Sequence, residues 1–282
     1  MTTSSHSVIS AEDAVALAAG GKPVVFLDVR FAPGNKDFRP DYEAAHIPGA
    51  HFVDLGTQLQ GQGGGTVGQR PLPEADALQA NISRWGIAPD SVVVVYSAST
   101  HAAAARAWFV LTWAGLPDVR YLDGGLKAWQ AAGGAVSNAP AVEGGGTFTI
   151  GQTGQRATIS ADEVAAYLDL GTPVFDARDT VGYIGDGSPR SGHIPGAVSL
   201  PSKALLDADG RLLDREAALA VLASYGVKAG DRIGVYCGGG VAAALSALAL
   251  QEAGIDAQLF VGSFSAWAAD PARPVAQGAS PK

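Results

Sequence analysis

The amino-acid sequence predicts an α/β protein made of two tandem copies of one domain, each a mainly parallel β-sheet covered by helices on both faces. Two observations predict it. Strand-like apolar runs alternate along the chain with helical patterns, an order typical of parallel sheets. The same series of motifs then occurs a second time, displaced by roughly 140 to 150 residues. We predict a first domain at 1–137, a linker at 138–157 and a second domain at 158–282.

The repeat rests on four pairs of segments that share sequence and stand in the same order in both halves. They are 8–30 with 158–178, 44–55 with 191–201, 82–98 with 222–238, and 122–129 with 260–267. The second pair carries the motif HIPGA twice. Four matches in one order indicate a tandem duplication.

Helices are predicted from their caps and their apolar spacing. Ser10 and Ser160 each stand before an acidic first turn and a helical apolar pattern, as N-cap residues do. Two further helices are predicted at 73–86 and 214–226, and each ends on a glycine that can close it in the left-handed region.

Buried strands are predicted from short β-branched runs. VVFLDVR and PVFDAR precede the HIPGA turns, whereas VVVVYSA and RIGVYC follow the helices at 73–86 and 214–226. The last of these strands is predicted to end on Cys237, and an alanine-rich helix is predicted to start near Val241. The residues between the halves are rich in Gly, Ala and Ser without a sustained period, which indicates a linker.

Composition excludes several classes of protein. The 282 residues, 47% of them hydrophobic, suffice for two cores. A net charge of −8 without a Lys/Arg run argues against a nucleic-acid surface. The amino end lacks the pattern of a signal peptide, and no stretch approaches the roughly 20 apolar residues of a membrane span. We therefore expect a cytoplasmic protein that binds neither nucleic acid nor membrane.

The single cysteine, Cys237, is the candidate nucleophile. It cannot form an internal disulfide, and it lies at the carboxyl end of a predicted parallel strand, where ligands bind in such sheets. The following glycines can turn N–H groups inward at the start of a helix and stabilise an anionic sulfur. The alternative is a buried structural cysteine. The residues expected to surround the sulfur are Gly238, Gly239, Gly240, Val241, Ala242 and Ala243.

These motifs resemble the tandem-domain rhodanese family, the thiosulfate and 3-mercaptopyruvate sulfurtransferases. The resemblance rests on D-[VA]-R, the doubled HIPGA, the strand ending in the Cys-Gly-x-Gly-Val loop and the GG/GS-x-x-A-W ending. It implies two rhodanese folds, of which the first is inactive. Ser97 stands there where Cys237 stands in the second half.

The resemblance also implies a ping-pong reaction without a cofactor. The Cys237 thiolate takes sulfane sulfur from 3-mercaptopyruvate or thiosulfate and passes it from a persulfide to cyanide, a thiol or a protein acceptor.

The sequence departs from both family patterns around the donor. The thiosulfate enzymes tend to have Cys-Arg-Lys-Gly-Val-Thr, whose cations are absent here. The mercaptopyruvate type has Cys-Gly-Ser-Gly-Val-Thr, but its Ser is Gly239 and its Thr is Ala242 in this chain. A family arginine that binds the donor is replaced by Gly182. The uncharged loop favours mercaptopyruvate as the donor.

Three arginines are candidate substrate ligands. Arg190 stands where the family has an arginine just before the HIPG turn, and Arg70 lies where the first domain of the family lines the cleft. Arg178 is the third, although its twin Arg30 in the other half favours a structural role. Other residues duplicated in both halves are interpreted as structural: Asp28 and Asp176, His46 and His193, and the core aromatics Trp129 and Trp267.

Rival classes fit the sequence less well. A cysteine phosphatase or arsenate reductase needs an arginine six positions after the cysteine, and position 243 is alanine. One cysteine and five scattered histidines do not supply a metal site. A persulfide carrier or regulatory rhodanese-like protein with little small-molecule turnover remains the alternative, because the loop cations and the arginine at 182 are missing.

Overall fold

The computed structural model of the protein describes residues 7–32, 34 and 36–281. The chain forms two compact units. The first comprises the chain up to Gln60 together with Pro73–Arg156, and the second comprises Gly61–Leu72 together with the chain from Ala157 onward. The segment 61–72 therefore packs with the second unit although it lies in the first half of the sequence. The boundaries 1–137 and 158–282 stay a sequence prediction.

The first unit is built on a sheet of five parallel strands in the order β1-β5-β4-β2-β3. The strands are β1 (Val8–Ile9), β2 (Val24–Arg30), β3 (His51–Asp54), β4 (Val92–Tyr96) and β5 (Val119–Leu122). The helices are α1 (Ala11–Ala19), α2 (Arg39–Ala44), α3 (Leu55–Gln58), α4 (Ala75–Arg84), α5 (His101–Trp113) and α6 (Gly125–Ala131). Helix α5 packs against β2, β4 and β5.

The second unit has a sheet of four parallel strands in the order β7-β6-β8-β9. The strands are β6 (Val174–Asp176), β7 (Val198–Ser199), β8 (Arg232–Tyr236) and β9 (Asp256–Leu259). The helices are α7 (Ala161–Asp169), α8 (Thr180–Ile184), α9 (Arg215–Ala223), α10 (Ala242–Glu252) and α11 (Ser263–Ala269), with 3₁₀ turns at Gly65–Val67 and Ser202–Leu205. The predicted α/β class is confirmed in both units.

Local sequence signals explain how the helices begin and end. The Ser10 hydroxyl accepts the N–H of Asp13, and Ser160 forms a full capping box with Glu163, so both predicted N-caps are confirmed. The helices predicted at 73–86 and 214–226 are α4 and α9, and Gly86 (φ 69°) and Gly226 (φ 72°) follow them in the left-handed conformation. Their regular parts are shorter than predicted because the last residues enter the turn.

Each unit has its own apolar core, which holds the tryptophan predicted there. Trp129 and Trp267 are buried, and their indole N–H groups donate to the carbonyls of Ala135 (2.8 Å) and Pro274 (2.7 Å). Pairing a buried indole N–H in this way keeps the large ring in the core without an unsatisfied donor. The prediction of two core aromatics is confirmed.

Strand ends place the candidate site at one edge of the second sheet. Strand β8 ends at Tyr236, so the prediction that Cys237 is its last residue was wrong by one position. The chain turns at the cysteine because the Cys237 N–H donates to the hydroxyl of Ser263 instead of to a neighbouring strand. Asp176 pairs in register with Tyr236. Because the strands are parallel, the residues that follow both leave the sheet at the same carboxyl edge.

In the described part of the chain, no helix combines the length and the apolar character needed to cross a membrane.

Candidate active site

The loop after β8 wraps around the sulfur of Cys237. The Gly240 N–H donates to Sγ at 3.1 Å. Of the three glycines, all within the described residues, only Gly240 has a positive φ, of 80°, which a residue with a side chain rarely adopts. Cys237 has 3% of its surface exposed. In such a dry environment an amide N–H stabilises an anion more strongly than it does in water.

Helix α11 holds the outer side of this loop. The N–H groups of Phe264 and Ser265 in its first turn donate to the carbonyls of Cys237 and Gly238, both at 2.9 Å. In a trans peptide the N–H points opposite to the C=O, so the N–H groups of Gly238 and Gly239 point away from α11. Helix α10 starts at Ala242, and the first N–H groups of a helix have no partner within it. The loop therefore presents donors suited to an anionic sulfur.

Ser263 fixes the main chain of the cysteine. Its hydroxyl accepts the N–H of Cys237 at 3.2 Å and donates to the carbonyl of Phe260 at 2.9 Å, and its Oγ lies 4.0 Å from Sγ. Ser263 has a φ of 54°, a left-handed conformation that costs a non-glycine residue about 1–3 kcal/mol. The equivalent residue of the first half is Gly125, with a φ of 59°. The second unit thus carries a strained serine where the first has glycine.

Arg178 lies beside the loop. Its guanidinium pairs with Asp176 at 2.5 Å and donates to the Gly192 carbonyl at 2.6 Å. It also lies over the ring of Phe264, 4.4 Å from the centroid. Burial acts to lower the pKa of Arg178, but the hydrogen bond and charge of Asp176, with smaller contributions from Tyr236 and Cys237, raise it above its ordinary value. The loop therefore has a permanent cation next to it.

Arg190 has a different environment. Its guanidinium donates to the carbonyls of Ala268 (3.0 Å), Arg273 (2.7 Å) and Asp270 (2.5 Å), at and beyond the carboxyl end of α11. A cation is favourable there because the last carbonyls of a helix have no partner within it. A role for Arg190 in substrate binding stays a prediction, which these hydrogen bonds do not favour.

Arg70 comes to the loop from the segment 61–72. Its Nη1 lies 2.9 Å from the position that a Cβ on Gly239 would occupy. The structure therefore brings two of the three predicted arginines, Arg70 and Arg178, to the cysteine loop, and holds Arg190 at the other end of α11.

The first unit has the same loop around a hydroxyl. Ser97 Oγ accepts the N–H groups of Ser99 and Thr100, both at 3.1 Å. Thr100 is three residues after Ser97, as Gly240 is three residues after Cys237, so the two loops hold their central atoms in the same way. A serine hydroxyl without an adjacent base is a poor nucleophile.

The acid and histidine pairs interpreted as structural make contacts of that kind. Asp28 is buried beside Arg30 at 2.7 Å; burial raises the pKa of Asp28, and the guanidinium opposes this rise. The rings of His46 and His193 are buried and stack on Tyr42 and Tyr183, with centroids 3.9 Å apart in both units. These contacts tie the HIPGA turns to the fold.

A cavity of about 760 Å³ lies in the first unit and has charged walls that include Arg39, Glu43, Arg84 and Glu143. None of its lining residues belongs to the Cys237 loop. Within the described ranges, no group of three or more His, Cys, Asp or Glu side chains is placed to hold a metal ion.

Reasoning from the sequence missed Ser263, and it named Arg70 without showing how its segment packs. The alignment of LDGGLKAW with FVGSFSAW pairs Gly125 with Ser263 and could have identified the serine. For the segment 61–72, the family resemblance named Arg70, but no sequence signal indicated that the segment packs with the second unit. It is rich in Gly and Gln, without a period, and its contacts are with residues far along the chain.

Comparison with known proteins adds to this geometry. The sequence matches the family described as "Rhodanese-like domain" over residues 10–132 and again over 160–270. A Mycobacterium tuberculosis protein that carries the name of a thiosulfate sulfurtransferase, SseB, is 41% identical, with 96% of this chain and 97% of that protein covered. A Pseudomonas aeruginosa protein named as a 3-mercaptopyruvate sulfurtransferase is 38% identical, with 90% and 93% covered.

Solved structures agree with these sequence matches. The 3-mercaptopyruvate sulfurtransferase SseA from Escherichia coli superposes with a TM-score of 0.79 at 26% identity, covering 92% of this chain and 98% of that one. The Tum1 protein from Saccharomyces cerevisiae reaches a TM-score of 0.83 at 21% identity, over 98% and 99% of the two chains, a likeness of fold alone.

Proposed function

The chain belongs to the rhodanese-like family and is a sulfurtransferase, and from this premise we propose that it carries sulfane sulfur as a persulfide on Cys237. The observation that carries the proposal is the hydrogen bond from the Gly240 N–H to Cys237 Sγ at 3.1 Å, inside a glycine turn at the start of a helix. A persulfide extends the side chain by one sulfur and carries the negative charge on that atom. The loop N–H groups from Gly238 to Ala243 are suited to stabilise it, as an oxyanion hole stabilises oxygen.

With thiosulfate as the donor, the Cys237 thiolate attacks the outer sulfur. The bond between the two sulfur atoms of thiosulfate breaks, its electron pair leaves with sulfite, and the persulfide forms. With 3-mercaptopyruvate, the thiolate attacks the thiol sulfur and the carbon–sulfur bond breaks. Its electron pair forms the enolate of pyruvate, which takes a proton and leaves as pyruvate.

The second half-reaction returns the enzyme to its first state. Cyanide or a thiol attacks the outer persulfide sulfur, the bond between this atom and Sγ breaks, and the electron pair returns to the Cys237 thiolate. The products are thiocyanate or a persulfide of the acceptor. A protein acceptor would follow the same chemistry.

For the donor we propose 3-mercaptopyruvate ahead of thiosulfate. The loop from Cys237 to Ala243 carries no cation of its own, and the charge of Arg178 beside it is balanced by Asp176. A doubly charged donor is better matched by several cations than by Arg70 alone. The test is a comparison of kcat/KM for the two donors with cyanide as the acceptor. A higher value for 3-mercaptopyruvate supports the proposal, and a value strongly in favour of thiosulfate would overturn it.

The cysteine itself is tested by Cys237→Ser, which keeps a polar group of similar size and removes the thiolate. We expect thiocyanate formation to fall by about 10³-fold or more with either donor. Turnover within about ten-fold of the wild-type enzyme would rule out a persulfide on this residue.

A persulfide carrier with little turnover is the second candidate. It is favoured by the lack of a cation within the loop and by Gly182, which replaces the donor-binding arginine of the family pattern. The two candidates differ in one result: a carrier accepts one sulfur on Cys237 without sustained thiocyanate formation, whereas the enzyme turns over. We propose a cytoplasmic setting for either, with no nucleic-acid or membrane partner.

A further inference from the structure

The loop around Cys237 has an empty position at Gly239, and two side chains from another part of the chain occupy that space. A Cβ built on Gly239 would lie 2.9 Å from Arg70 Nη1 and 3.2 Å from Gln69 Oε1. Real Cβ atoms essentially never approach other atoms closer than 3.0 Å, so a side chain at 239 requires the guanidinium to shift from its position. Gly239 does not have a positive φ, and its backbone conformation therefore does not require glycine.

The segment that carries Arg70 is anchored at several points of the second unit. The Gln69 N–H donates to Ser265 Oγ at 2.9 Å, in the first turn of α11. A Cβ on Gly68 would overlap the carbonyl of Gly262, so the two main chains are in direct contact. The segment also closes on itself, because the Gly64 N–H donates to the Gly68 carbonyl at 2.8 Å. Arg70 is therefore delivered to the loop by a fixed piece of backbone.

Gln69 then orients the arginine. Arg70 Nη1 donates to Gln69 Oε1 at 3.1 Å, and both atoms lie over Gly239. The same helix turn that positions Gln69 also donates its N–H groups to the carbonyls of Cys237 and Gly238. One element, the first turn of α11, thus sets the position of both the loop and the arginine over it.

We infer that Gly239 and Arg70 are a coupled pair that determines how the enzyme recognises its donor. Because residue 239 has no side chain, the Arg70 guanidinium fits beside the loop, where it binds the anionic end of the donor. This inference rests on the proposed function of Cys237. A planar guanidinium matches a carboxylate or a sulfonate by two parallel hydrogen bonds. A loop with no cation of its own then recognises an anion through an arginine from the segment 61–72.

Coupling makes a quantitative prediction for four proteins: wild type, Gly239→Ala, Arg70→Gln and the double variant. The methyl of Gly239→Ala meets the ends of the Arg70 and Gln69 side chains, and it meets Gln69 Cβ at a tolerable 3.4 Å, so we expect the variant to fold and the guanidinium to move. It should lower kcat/KM for 3-mercaptopyruvate and for thiosulfate by about ten-fold. Arg70→Gln should lower both by a similar factor, and the double variant should be little worse than either single one.

The second half-reaction distinguishes a lost donor contact from a structural defect of the loop. A structural defect would slow both half-reactions, whereas a lost donor contact would slow only the first. In ping-pong kinetics, kcat/KM for the acceptor reports attack on the persulfide alone. With 2-mercaptoethanol, an uncharged acceptor, we expect this value to stay within about two-fold of wild type in all three variants. Gly151→Ala is the matched glycine control, because a Cβ there meets no atom within 4 Å and its φ is not positive.

The outcomes separate the inference from the function on which it rests. If the wild-type protein transfers no sulfur and Cys237 takes up none, the proposed function fails. If the wild type turns over, additive losses in the double variant, or a Gly239→Ala protein with wild-type kcat/KM for both donors, would overturn the coupling. An equal loss in the donor and acceptor half-reactions would also overturn it, because this would indicate a damaged loop instead of a lost donor contact.

Discussion

Ser263 and Gly125 occupy equivalent positions in the two halves and adopt nearly the same left-handed backbone, with φ of 54° and 59°. A residue with a side chain is unfavourable there, and in the second unit its hydroxyl bonds the Cys237 N–H. The second unit keeps this backbone strain at Ser263, whereas the first unit avoids it with glycine at 125, and this difference indicates a role at the cysteine. We interpret Ser263 as a positioning residue, which acts on the reaction through Cys237.

Removing the hydroxyl should affect stability and turnover in different ways. Ser263→Ala leaves the buried Cys237 N–H without its partner, and we expect the free energy of unfolding to fall by about 1–3 kcal/mol. Ser263→Gly loses the same bond but relieves the left-handed strain, so its stability should lie nearer to wild type. Urea unfolding measures both.

The activity of these two variants should fall together, by about ten-fold in kcat/KM, because both lose the group that fixes the cysteine main chain. Thiocyanate formation measures this. Wild-type activity in Ser263→Gly would contradict the positioning role.

At the scale of elements, the glycine turn and α11 together hold the sulfur site. Gly240→Ala places a methyl at a φ of 80°, and we expect the free energy of unfolding to fall by about 1–2 kcal/mol. The substitution should also displace the N–H that donates to Cys237 Sγ, and the rate of sulfur transfer should fall. Gly238→Ala provides the comparison for stability, since its Cβ would meet Arg178 Cδ at an ordinary 3.7 Å. Equal stability of the two variants would refute this account of the turn.

Arg190 is predicted to stabilise the carboxyl end of α11. Arg190→Ala leaves several carbonyls beyond that helix end without their donor, and we expect the free energy of unfolding to fall by about 2 kcal/mol. A substrate-binding role predicts a different result, namely unchanged stability with a raised KM for the donor. Urea unfolding and donor kinetics on this one variant distinguish the two roles.

The elements that sequence could predict are those specified by nearby residues. Strand β2 was predicted at its observed bounds, 24–30, and both serine N-caps were found, because periodicity and capping act within a few residues. The family resemblance named Arg70, but nearby residues could not predict how the segment 61–72 packs, because its position depends on Ser265, 196 residues after Gln69. Local rules do not reach a contact of that separation.

In the whole molecule one fold is present twice, and the proposed sulfur chemistry belongs to the second copy. Ser97 is held by amide groups much as Cys237 is, so the loop alone does not make a site. The first unit lacks the serine at the Gly125 position, and Arg70 and its segment pack with the second unit. We therefore expect activity to depend on groups outside the duplicated loop as well as on the cysteine.

Moving the cysteine between the two copies tests this dependence. In the double variant Ser97→Cys with Cys237→Ser, the thiol stands in the equivalent loop, and we expect thiocyanate formation to stay near the level of Cys237→Ser alone. Recovery to within about ten-fold of wild type would show that the duplicated loop is sufficient.

The persulfide on Cys237 is tested by detecting the transferred sulfur on the protein. After incubation with 3-mercaptopyruvate or thiosulfate and removal of the donor, mass spectrometry of the digested chain should show one added sulfur on the peptide that contains Cys237. Cyanide should remove this sulfur as thiocyanate, and Cys237→Ser should not acquire it. If the wild-type protein transfers sulfur to cyanide while Cys237 acquires no added sulfur, the proposed persulfide on Cys237 is wrong.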